Sequence, residues 1–444
     1  MSPNTPAILQ QAFAAALQLA EPRHIMANCL QQIFPAGTEP QGRCLVVGAG
    51  KASAAMASAL EAYAASSWPK AQLEGLVLTR YGHGAPTQAI RIVEAGHPVP
   101  DQAGMDGAIE ILQRVQELQA GETLIVLVSG GGSSLLTLPQ SGISMADMRL
   151  TTAALLRSGA PIEEMNIVRK HLSAILGGNL ARSAMARGAR VEALLISDVT
   201  GDHPADIASG PCAADYSSYD NALAILAKYN LDASNLPASV LKHLQEGRDG
   251  KIPETLKEAD LVGAQVRNHV IATARQSLQA AANFIAGQGY TPIILGDTIT
   301  GEAHDVASVH AAIAREIILH QQWAKLPVAL ISGGECTVTI PAEMKGRGGR
   351  CSEFLLALFA ATSDLPNISA LAADTDGIDG SELNAGAWFT PAVRKLAKER
   401  NLNPTTFLTK HDCYGFFAEL NALVDTGPTL TNVNDFRIIL LEKN

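Results

Sequence analysis

The sequence predicts an α/β protein of two domains, each built on strands that alternate with helices. Three observations support this fold class. The 444 residues exceed the roughly 250–300 that one hydrophobic core usually serves. Short runs of Val, Ile and Leu recur, each followed by a glycine turn and an Ala-rich stretch, which is typical of βαβ units in a buried parallel sheet. The strings LIVLVSGGGSSLL and PVALISGGECTVTI repeat one pattern, an apolar strand followed by Ser-Gly-Gly.

The apolar runs fall into two series of expected strands. They cover residues 44–48, 75–79, 90–94, 123–128 and 191–197, and then 291–295, 327–332, 368–373 and 435–441. The polar stretch EGRDGKIPETLKEAD, which starts at Glu246, separates the series. We therefore expect a Rossmann-like parallel-sheet domain over residues 1–246 and a smaller α/β domain over residues 260–444. Turns after strand carboxyl ends gather at ligand crevices, so we expect the active site in the cleft between the domains.

Composition argues against several classes of partner. The net charge of −10 is spread out without a lysine or arginine run, which gives a nucleic-acid or anionic-membrane surface no electrostatic support. No apolar stretch is long enough to span a bilayer, and the N-terminal segment has no basic region of the kind that opens a signal peptide. The six cysteines show no metal or redox spacing. A cytoplasmic protein is expected.

The first candidate segment is VVGAGKASAAMASAL, in which Gly48, Gly50 and Lys51 link an expected strand to an Ala-rich helix. Amides at such a turn favour anions, and the lysine adds a full charge. The segment is not a Walker A loop, because Leu45 and Ala52 replace residues that this motif requires. It also lacks the third glycine of a dinucleotide fingerprint. A plain strand-to-helix turn with a solvated lysine stays open as an alternative.

The second segment is VSGGGSSLL. Gly130, Gly131 and Gly132 let the backbone form a concave set of N–H groups, and Ser133 and Ser134 add hydroxyl donors. Three glycines in succession are costly to order unless a ligand approaches the backbone closely. The sequence therefore predicts a phosphate or carboxylate site here.

A predicted helix, PIEEMNIVRKHLSAILGGNLA, carries the third candidate. Arg169 and Lys170 lie near its C-terminal end and offer two charges for an anion. An ordinary solvated basic face that ends at a glycine cap is the alternative.

Two acidic segments follow predicted strands. Asp198 and Asp202 lie in LLISDVTGDHPADIASGP, where their carboxylates suit a magnesium ion that also binds substrate phosphates. Turn and capping chemistry is the alternative for both. Asp374, Asp376 and Asp379 lie in AADTDGIDG and offer further carboxylates for a metal or a proton.

The last candidate joins ISGGECTVTI to GRGGRCSEF. Gly333, Gly334 and Glu335 form the turn after an expected strand, and Arg347 and Arg350 lie in a second glycine-rich loop. Arginines among glycines can bring a rigid guanidinium fork against carboxylate or phosphate oxygens.

Taken together, these strings resemble the class II glycerate kinases, which join a larger N-terminal α/β domain to a smaller C-terminal one that contains a MOFRL region, here about residues 325–440. The strings GAGKA, GHPVPD, SGGGSSLL, NIVRKHLS, SDVTGD, IASGP, ISGGE, GRGGR, DGIDG and TGPT occur in the family's order over almost the whole chain. Cys351-Ser352 and Leu430 depart from the family's usual residues, which concerns substrate identity and leaves the reaction class unchanged.

The resemblance implies ATP- and Mg²⁺-dependent phosphorylation of D-glycerate, usually on the C2 hydroxyl, in an interdomain cleft. Lys51 and an arginine of the GRGGR loop match the family's cationic pair. Arg350 is favoured over Arg347, because the predicted helix FLLALFAA follows Arg350 and would hold it more rigidly. Alanine at Lys51 or Arg350 is expected to lower kcat by about 10²-fold or more with the fold intact. Arg347, Arg169 and Lys170 are the expected substrate contacts. The expected ATP contacts are Gly48, Gly50, Gly130, Gly131, Gly132, Ser133, Ser134, Gly333 and Gly334, and the expected metal ligands are Asp198, Asp202 and Glu335. The general base stays open among Asp198, Asp202, Asp374 and Asp376.

Two other functions stay open. An NAD(P)H-dependent hydroxypyruvate reductase would use the Gly-Ala-Gly turn, with Arg80 against a 2′-phosphate. A non-catalytic sensor of sugar acids would use the glycine turns and arginines without metal carboxylates. The sequence leaves a homodimer open.

Overall fold

The computed structural model describes residues 4–321, 323–341 and 344–443. Its strands, numbered along the chain, are β1 (Gly42–Ala49), β2 (Ala71–Arg80), β3 (Ile90–Ala95), β4 (Thr123–Val128), β5 (Arg190–Ile196), β6 (Val266–Ala272), β7 (Thr291–Gly296), β8 (Gly301–Glu302), β9 (Val328–Ser332), β10 (Cys336–Thr337), β11 (Ile368–Asp374), β12 (Gly386–Phe389), β13 (Leu423–Val424) and β14 (Asp435–Leu441). Its α-helices are α1 (Thr5–Gln18), α2 (Pro22–Ile33), α3 (Ser53–Ser67), α4 (Gln102–Gln116), α5 (Gly132–Leu135), α6 (Met145–Arg157), α7 (Ile162–His171), α8 (Asn179–Met185), α9 (Tyr219–Lys228), α10 (Ala238–Arg248), α11 (Ala274–Gly287), α12 (Ala303–His320), α13 (Arg350–Ala361), α14 (Pro391–Glu399), α15 (Pro404–Thr409) and α16 (Cys413–Ala418).

The described residues form two compact units. The first unit comprises Ile25–Ile271, and the second comprises the residues up to His24 together with those from Ala272 onward. Each unit is built on its own six-stranded sheet. The α/β fold class predicted from the alternation of apolar runs and Ala-rich stretches is confirmed.

The sheet of the first unit has the strand order β3-β2-β1-β4-β5-β6. The pairs β1/β2, β2/β3, β1/β4 and β4/β5 are parallel. Strand β4 is buried along its whole length and β1 along most of it, as expected for apolar runs covered on both faces. The strand order reverses between β1 and β4, which is the switch point where doubly wound sheets bind ligands.

A small helical layer of the first unit has its own core. Helices α6, α7, α9 and α10 bury apolar side chains against one another, including those of Leu155, Val168, Leu226 and Leu244. Helix α7 is thereby fixed by packing, which determines where its C-terminal arginine and lysine lie.

The sheet of the second unit has the order β13-β12-β11-β14-β9-β7 and is mixed. Strands β7 and β9 are parallel, whereas β14 runs antiparallel to both β9 and β11. The sequence predicted a smaller α/β domain here without specifying the direction of its strands. A fully buried strand is apolar on both faces in either orientation, so its composition does not report its direction.

The longest described helix, α12, packs an Ala-rich stripe into the core of the second unit. Ala307, Ala311 and Ala314 lie at helical spacing in one cluster with Phe354 and Leu358 of α13. Its exposed surface carries polar residues such as His304 and Asp305, and also Val309 and Leu319. Within the described ranges, no helix combines the length and the apolar character that crossing a membrane requires.

The compact units divide the chain differently from the expected boundaries at residues 246 and 260. Strand β6 continues the first sheet, so that sheet ends near residue 271. Helix α1 belongs to the second unit, where Leu9 and Phe13 share a core with Leu278 and Phe436. The ring centroids of Phe13 and Phe436 lie 5.6 Å apart. Burial of these apolar side chains stabilises the packing of α1 in the second unit.

Candidate active site

Two glycine-bearing turns meet at the switch point of the first sheet. The amide of Lys51, in the turn after β1, donates to the carbonyl of Gly130, in the turn after β4, at 2.9 Å. The amide of Ser129 donates to the carbonyl of Ala49 at 3.2 Å, and the amide of Ala52 donates to Ser129 Oγ at 2.9 Å. These bonds join the two turns into one rigid structure at the position where the fold predicts a ligand.

Gly48 and Gly50 are required by the packing of β1 against β4. A Cβ on Gly48 would lie 2.0 Å from the carbonyl oxygen of Leu127, and a Cβ on Gly50 would lie 2.1 Å from Ser129 Oγ. No side chain fits into either space. Close approach of protein atoms accounts for both glycines, and their contact with a nucleotide stays a prediction.

The turn Gly130–Gly132 is also tightly packed. Gly131 has a φ of 81°, in the left-handed region that favours glycine, and a Cβ there would lie 2.8 Å from the ring of His97. A Cβ on Gly132 would lie 2.6 Å from the Cβ of Ala208. The backbone of this turn is therefore held between neighbouring segments without side chains of its own.

Several donors of this turn lack an acceptor. In the described part of the chain, the backbone amides of Gly130, Gly131 and Ser133 donate to no protein atom. By contrast, Ser134 Oγ donates to the carbonyl of Gly131 at 3.0 Å. Neighbouring unpaired amides are the arrangement that phosphate or carboxylate oxygens satisfy.

Arg169, near the end of α7, brings a positive charge to the same turn. Its Nη2 donates to the carbonyl of Ser133 at 3.3 Å, and its Nη1 donates to Oδ1 of Asn166 at 3.2 Å. Burial lowers the pKa of this guanidinium. Among the residues that the structure describes, no carboxylate forms an ion pair with it. A half-buried cation without a counter-charge lies beside unpaired amides, so the pocket suits an anion.

Lys170 has a different role from its neighbour. It is 1% exposed, and its Nζ pairs with Oδ1 of Asp215 at 2.9 Å. Burial raises the pKa of Asp215 while the charge of Lys170 lowers it, and the net shift is downward. The interpretation of a solvated basic face is wrong for Lys170. Its predicted contact with the substrate gains no support, because its charge is already neutralised inside the first unit.

Asp198 and Asp202 lie in the turn that follows β5, and both are half-buried. Asp202 adopts a left-handed φ of 55°. The described residues contain no group of three or more His, Cys, Asp or Glu side chains that would hold a metal by themselves. Mg²⁺ needs only one or two carboxylates when substrate phosphates supply further ligands, so this pair remains compatible with the predicted metal.

In the second unit, Arg350 is surrounded by carboxylates. Its Nε donates to Oδ1 of Asp435 at 2.6 Å, its Nη2 donates to Oδ2 of Asp374 at 2.7 Å, and its Nη1 donates to Oε1 of Glu335. Burial lowers the pKa of Arg350, but the three negative charges outweigh burial and raise it. Arg350 is thus rigid, as predicted, but its donors are occupied by carboxylates of its own unit. Glu335 is correspondingly an arginine partner, and its predicted metal binding gains no support.

Asp435 also binds a second arginine. Its Oδ2 accepts a hydrogen bond from Nη2 of Arg437 at 2.5 Å and one from the amide of Cys336 at 3.3 Å. Arg437 is 1% exposed and donates to the carbonyl of Gly333 at 3.0 Å. Asp435 therefore ties the turn after β9 to the start of α13 through two guanidinium groups.

The turn after β9 is stabilised by protein contacts at both predicted glycines. The amide of Gly333 donates to the carbonyl of Gly296 at 2.8 Å. Gly334 has a φ of 106°, and a Cβ there would lie 2.3 Å from the carbonyl oxygen of Ile299. The predicted contact of these glycines with ATP stays a prediction.

Arg347 and Asp379 have local partners. Arg347 binds both carboxylate oxygens of Asp412, at 3.1 and 3.3 Å, and its side chain is 52% exposed. Asp379 accepts the amides of Cys351 at 2.9 Å and Ser352 at 2.8 Å, at the start of α13, and burial raises its pKa to about 6. Asp379 therefore caps a helix, and a metal or proton-transfer role is not needed to explain it.

Both the turn beside Arg169 and the carboxylate cluster around Arg350 are organised by residues that sequence patterns did not single out. Ser209 hydrogen-bonds Ser133 across the first site, Asp215 neutralises Lys170, and Asp435 and Arg437 hold Arg350 in place. Ser209 lies within IASGP, one of the strings that carry the resemblance to the glycerate kinases. The charged residues of β14 interrupt an apolar run, which was the available signal for a buried ion pair.

Comparison with known proteins identifies both parts of the chain. A family model described as a domain of unknown function, DUF4147, matches residues 8–245, and the MOFRL family model matches residues 328–435. A putative hydroxypyruvate reductase of Agrobacterium vitis is 44% identical over 98% of this chain and 94% of its own length. The glycerate 2-kinase of Pyrococcus horikoshii is 36% identical over 96% of this chain and 95% of its own length.

A solved structure agrees with these matches. The crystal structure of glycerate kinase from Thermotoga maritima superposes with a TM-score of 0.84, at 33% identity, and the match covers 99% of each chain. The resemblance inferred from the ordered glycine and charged strings is confirmed. The chain belongs to the class II glycerate kinase family, in which a DUF4147 domain is joined to a C-terminal MOFRL domain.

Proposed function

We propose that this chain is a glycerate 2-kinase, which transfers the γ-phosphoryl group of ATP to the C2 hydroxyl of D-glycerate. The hydroxyl oxygen forms a bond to the γ-phosphorus, the bond from that phosphorus to the β,γ-bridging oxygen breaks, and the hydroxyl proton passes to a base. The products are 2-phospho-D-glycerate and ADP. The family and the kinase names of relatives that match over most of the chain support this reaction.

The observation that carries the proposal is the charge of Arg169. This cation lies beside the Ser-Gly-Gly-Gly turn at the switch point, and no carboxylate in the described ranges neutralises it. Both substrates of the proposed reaction are anions, and a carboxylate or phosphate would complete this pocket. We assign Arg169 and the adjacent amides to anchoring one of them.

The remaining roles follow from charge and position. Lys51, in the turn joined to Gly130, would balance the negative charge on the transferred phosphoryl oxygens. The base that accepts the hydroxyl proton stays open among Asp198, Asp202, Asp374 and Asp376. In phosphoryl transfer a protein mainly aligns the hydroxyl with the γ-phosphorus and places positive charge near the phosphoryl oxygens, and these residues are proposed to do both.

Magnesium would bind together with the nucleotide phosphates. The half-buried carboxylates of Asp198 and Asp202, within five residues of one turn, suit an ion that takes its other ligands from phosphates and water. When bound, Mg²⁺ would neutralise charge on the β- and γ-phosphates. Glu335 is not included, because Arg350 holds it. The joint action of Lys51 and Arg350 in an interdomain cleft, a homodimer and a cytoplasmic location all stay predictions of the sequence.

Hydroxypyruvate reduction is the second candidate, because a relative at 44% identity carries that name and the first sheet has Rossmann strand order. The Gly-Ala-Gly turn weakens this candidate. Ser53 stands where a dinucleotide-binding fingerprint has its third glycine, and β2 ends at Thr79-Arg80 without an acidic residue for the ribose.

A two-tube assay separates these functions. Purified protein is incubated with D-glycerate, ATP and Mg²⁺ in one tube, and with hydroxypyruvate and NADH or NADPH in the other. We expect glycerate-dependent release of ADP in the first tube, and phosphorus NMR should show 2-phosphoglycerate. Oxidation of NAD(P)H without ADP release would contradict the kinase proposal, and a phosphorus signal of 3-phosphoglycerate would contradict the assigned position.

Arg169→Met tests the anion pocket. We expect the KM of D-glycerate or of ATP to rise by about 10- to 100-fold, since hydrogen bonds to charged groups contribute about 1.5–3 kcal/mol. The melting temperature should stay equal or rise, because a half-buried cation without a counter-charge is replaced by an apolar side chain of similar volume. Steady-state kinetics and thermal denaturation measure the two effects.

Arg182→Met is the matched control. Arg182 lies in α8, donates to Asn179 at 2.8 Å and approaches Asp260 at 3.6 Å. Its replacement should leave both KM values within about twofold of wild type. Unchanged KM values for Arg169→Met would remove Arg169 from the proposed pocket.

A further inference from the structure

We infer that Ser133 and Ser209 form a hydroxyl pair that donates one hydrogen bond to an oxyanion of a bound ligand, either the carboxylate of the acid or a phosphate of the nucleotide. The identity of these ligands rests on the proposed function. Ser209 lies in the segment after β5. Its hydroxyl is hydrogen-bonded to that of Ser133, which lies in the turn after β4, 76 residues earlier in the chain.

The two hydroxyls together carry one more hydrogen than their mutual bond uses. The Oγ atoms of Ser133 and Ser209 lie 2.6 Å apart, so one hydroxyl donates to the other. Each hydroxyl carries a single hydrogen. The donating hydroxyl has used its hydrogen, and the accepting hydroxyl still has one. Within the described ranges, that second hydrogen has no protein acceptor.

The surroundings of the two hydroxyls indicate which kind of ligand atom accepts the remaining hydrogen. Ser209 is fully buried, so bulk water does not readily satisfy its side chain. Arg169 donates to the carbonyl of Ser133, and the amides of Gly130 and Gly131 in the same turn donate to no protein atom in the described ranges. A neutral acceptor would leave the charge of Arg169 unbalanced, whereas an oxyanion satisfies the hydroxyl, the amides and the guanidinium together.

The backbone holds Ser209 in an unusual conformation. Ala208 and Ser209 have φ values of 46° and 55°, in a region that residues other than glycine seldom adopt. The amide of Ser209 donates to the carbonyl of Asp206 at 3.0 Å, and its carbonyl accepts from the amide of Gly177 at 3.1 Å. Left-handed non-glycine residues that neighbouring segments hold in place are concentrated at ligand sites.

The test measures binding directly, so that it does not depend on turnover. Isothermal titration of the full chain with D-glycerate, and separately with ADP and Mg²⁺, gives two dissociation constants. Ser209→Ala removes the hydroxyl and keeps the Cβ. We expect one of the two constants to rise by about 10- to 100-fold, as for the loss of a hydrogen bond to a charged group. A rise for D-glycerate identifies the acid's carboxylate, and a rise for ADP identifies a phosphate.

A second variant covers the case in which Ser209→Ala folds poorly. Ser209→Gly also lacks the hydroxyl, but glycine adopts left-handed φ without strain, so its melting temperature should equal or exceed that of wild type. Ser133→Ala should weaken the same ligand, and the double variant Ser133→Ala/Ser209→Ala should be little worse than either single variant, because the two hydroxyls act as one donor.

Ser183→Ala is the matched control, since Ser183 Oγ donates to the carbonyl of Asn179 at 3.0 Å within α8. Both dissociation constants should stay at their wild-type values. Unchanged constants in a folded Ser209→Gly variant would overturn the inference. Wild-type protein that binds D-glycerate or ADP but releases no ADP from ATP contradicts the proposed function alone, and wild-type protein that binds neither overturns both.

Discussion

Replacing Arg350 with alanine is expected to destabilise the second unit by about 3 kcal/mol or more, because Asp374, Asp435 and Glu335 lose the cation that they share, while Asp435 keeps its bond to Arg437. The side chains of Asp435 and Asp374 are 0% and 6% exposed, so water does not replace the guanidinium. The sequence alone suggested that this variant would keep its fold. The three contacts of Arg350 change that expectation.

Urea unfolding of the full chain, followed by circular dichroism, measures this effect, together with kcat at a temperature at which the variant is folded. Arg350→Lys should recover part of the stability, since it keeps the charge but not the fork of donors. Arg347→Ala is the matched control for stability. Its pair with Asp412 is half-exposed, so its loss should cost less than about 1 kcal/mol. An Arg350→Ala variant as stable as wild type would show that the carboxylate cluster does not depend on this arginine.

Lys51→Ala is expected to lower kcat by about 10²- to 10³-fold, the range found when one group that stabilises developing charge is removed. Lys51 is half-buried in the turn after β1, and its backbone amide is bonded to Gly130. Because alanine keeps that amide, the backbone bond that joins the two turns should be preserved. Release of ADP under saturating D-glycerate and ATP measures the change.

Lys70→Ala is the control for this variant, since Lys70 is an exposed lysine of the same unit. Its kcat should match that of wild type. If Lys51→Ala turned over within about twofold of wild type, the phosphoryl group would have to be neutralised by other residues, and the proposed mechanism would lose its central cation.

Much of the first unit could be predicted because its strands are marked by short-range sequence patterns. The apolar runs that mark β1, β2, β3, β4 and β5 stand between glycine turns, and each predicted strand overlaps the observed one. Strand β6 was missed, since its sequence VRNHVIA mixes charged and apolar residues and lies at the edge of the sheet. Strand β12 was missed because it has only four residues.

The candidate site was predictable in outline. Glycines after the ends of β1 and β4 located the two turns at the switch point, and Arg169 was singled out beside them. The individual functions of neighbouring residues were not predictable. Arg169 and Lys170 are adjacent on one helix, yet the first has no counter-charge in the described ranges and the second is neutralised by Asp215.

The sequence by itself determined the fold class, the positions of most strands and the family, because apolar periodicity and glycine turns act over a few residues. Only the tertiary structure decided strand direction in the second sheet and the partners of its charges. Arg350 binds Asp435 across 85 residues, and Lys170 binds Asp215 across 45. The physical reason is that a buried charge is stabilised by whichever opposite charge the packing brings to it, and that choice depends on the whole chain.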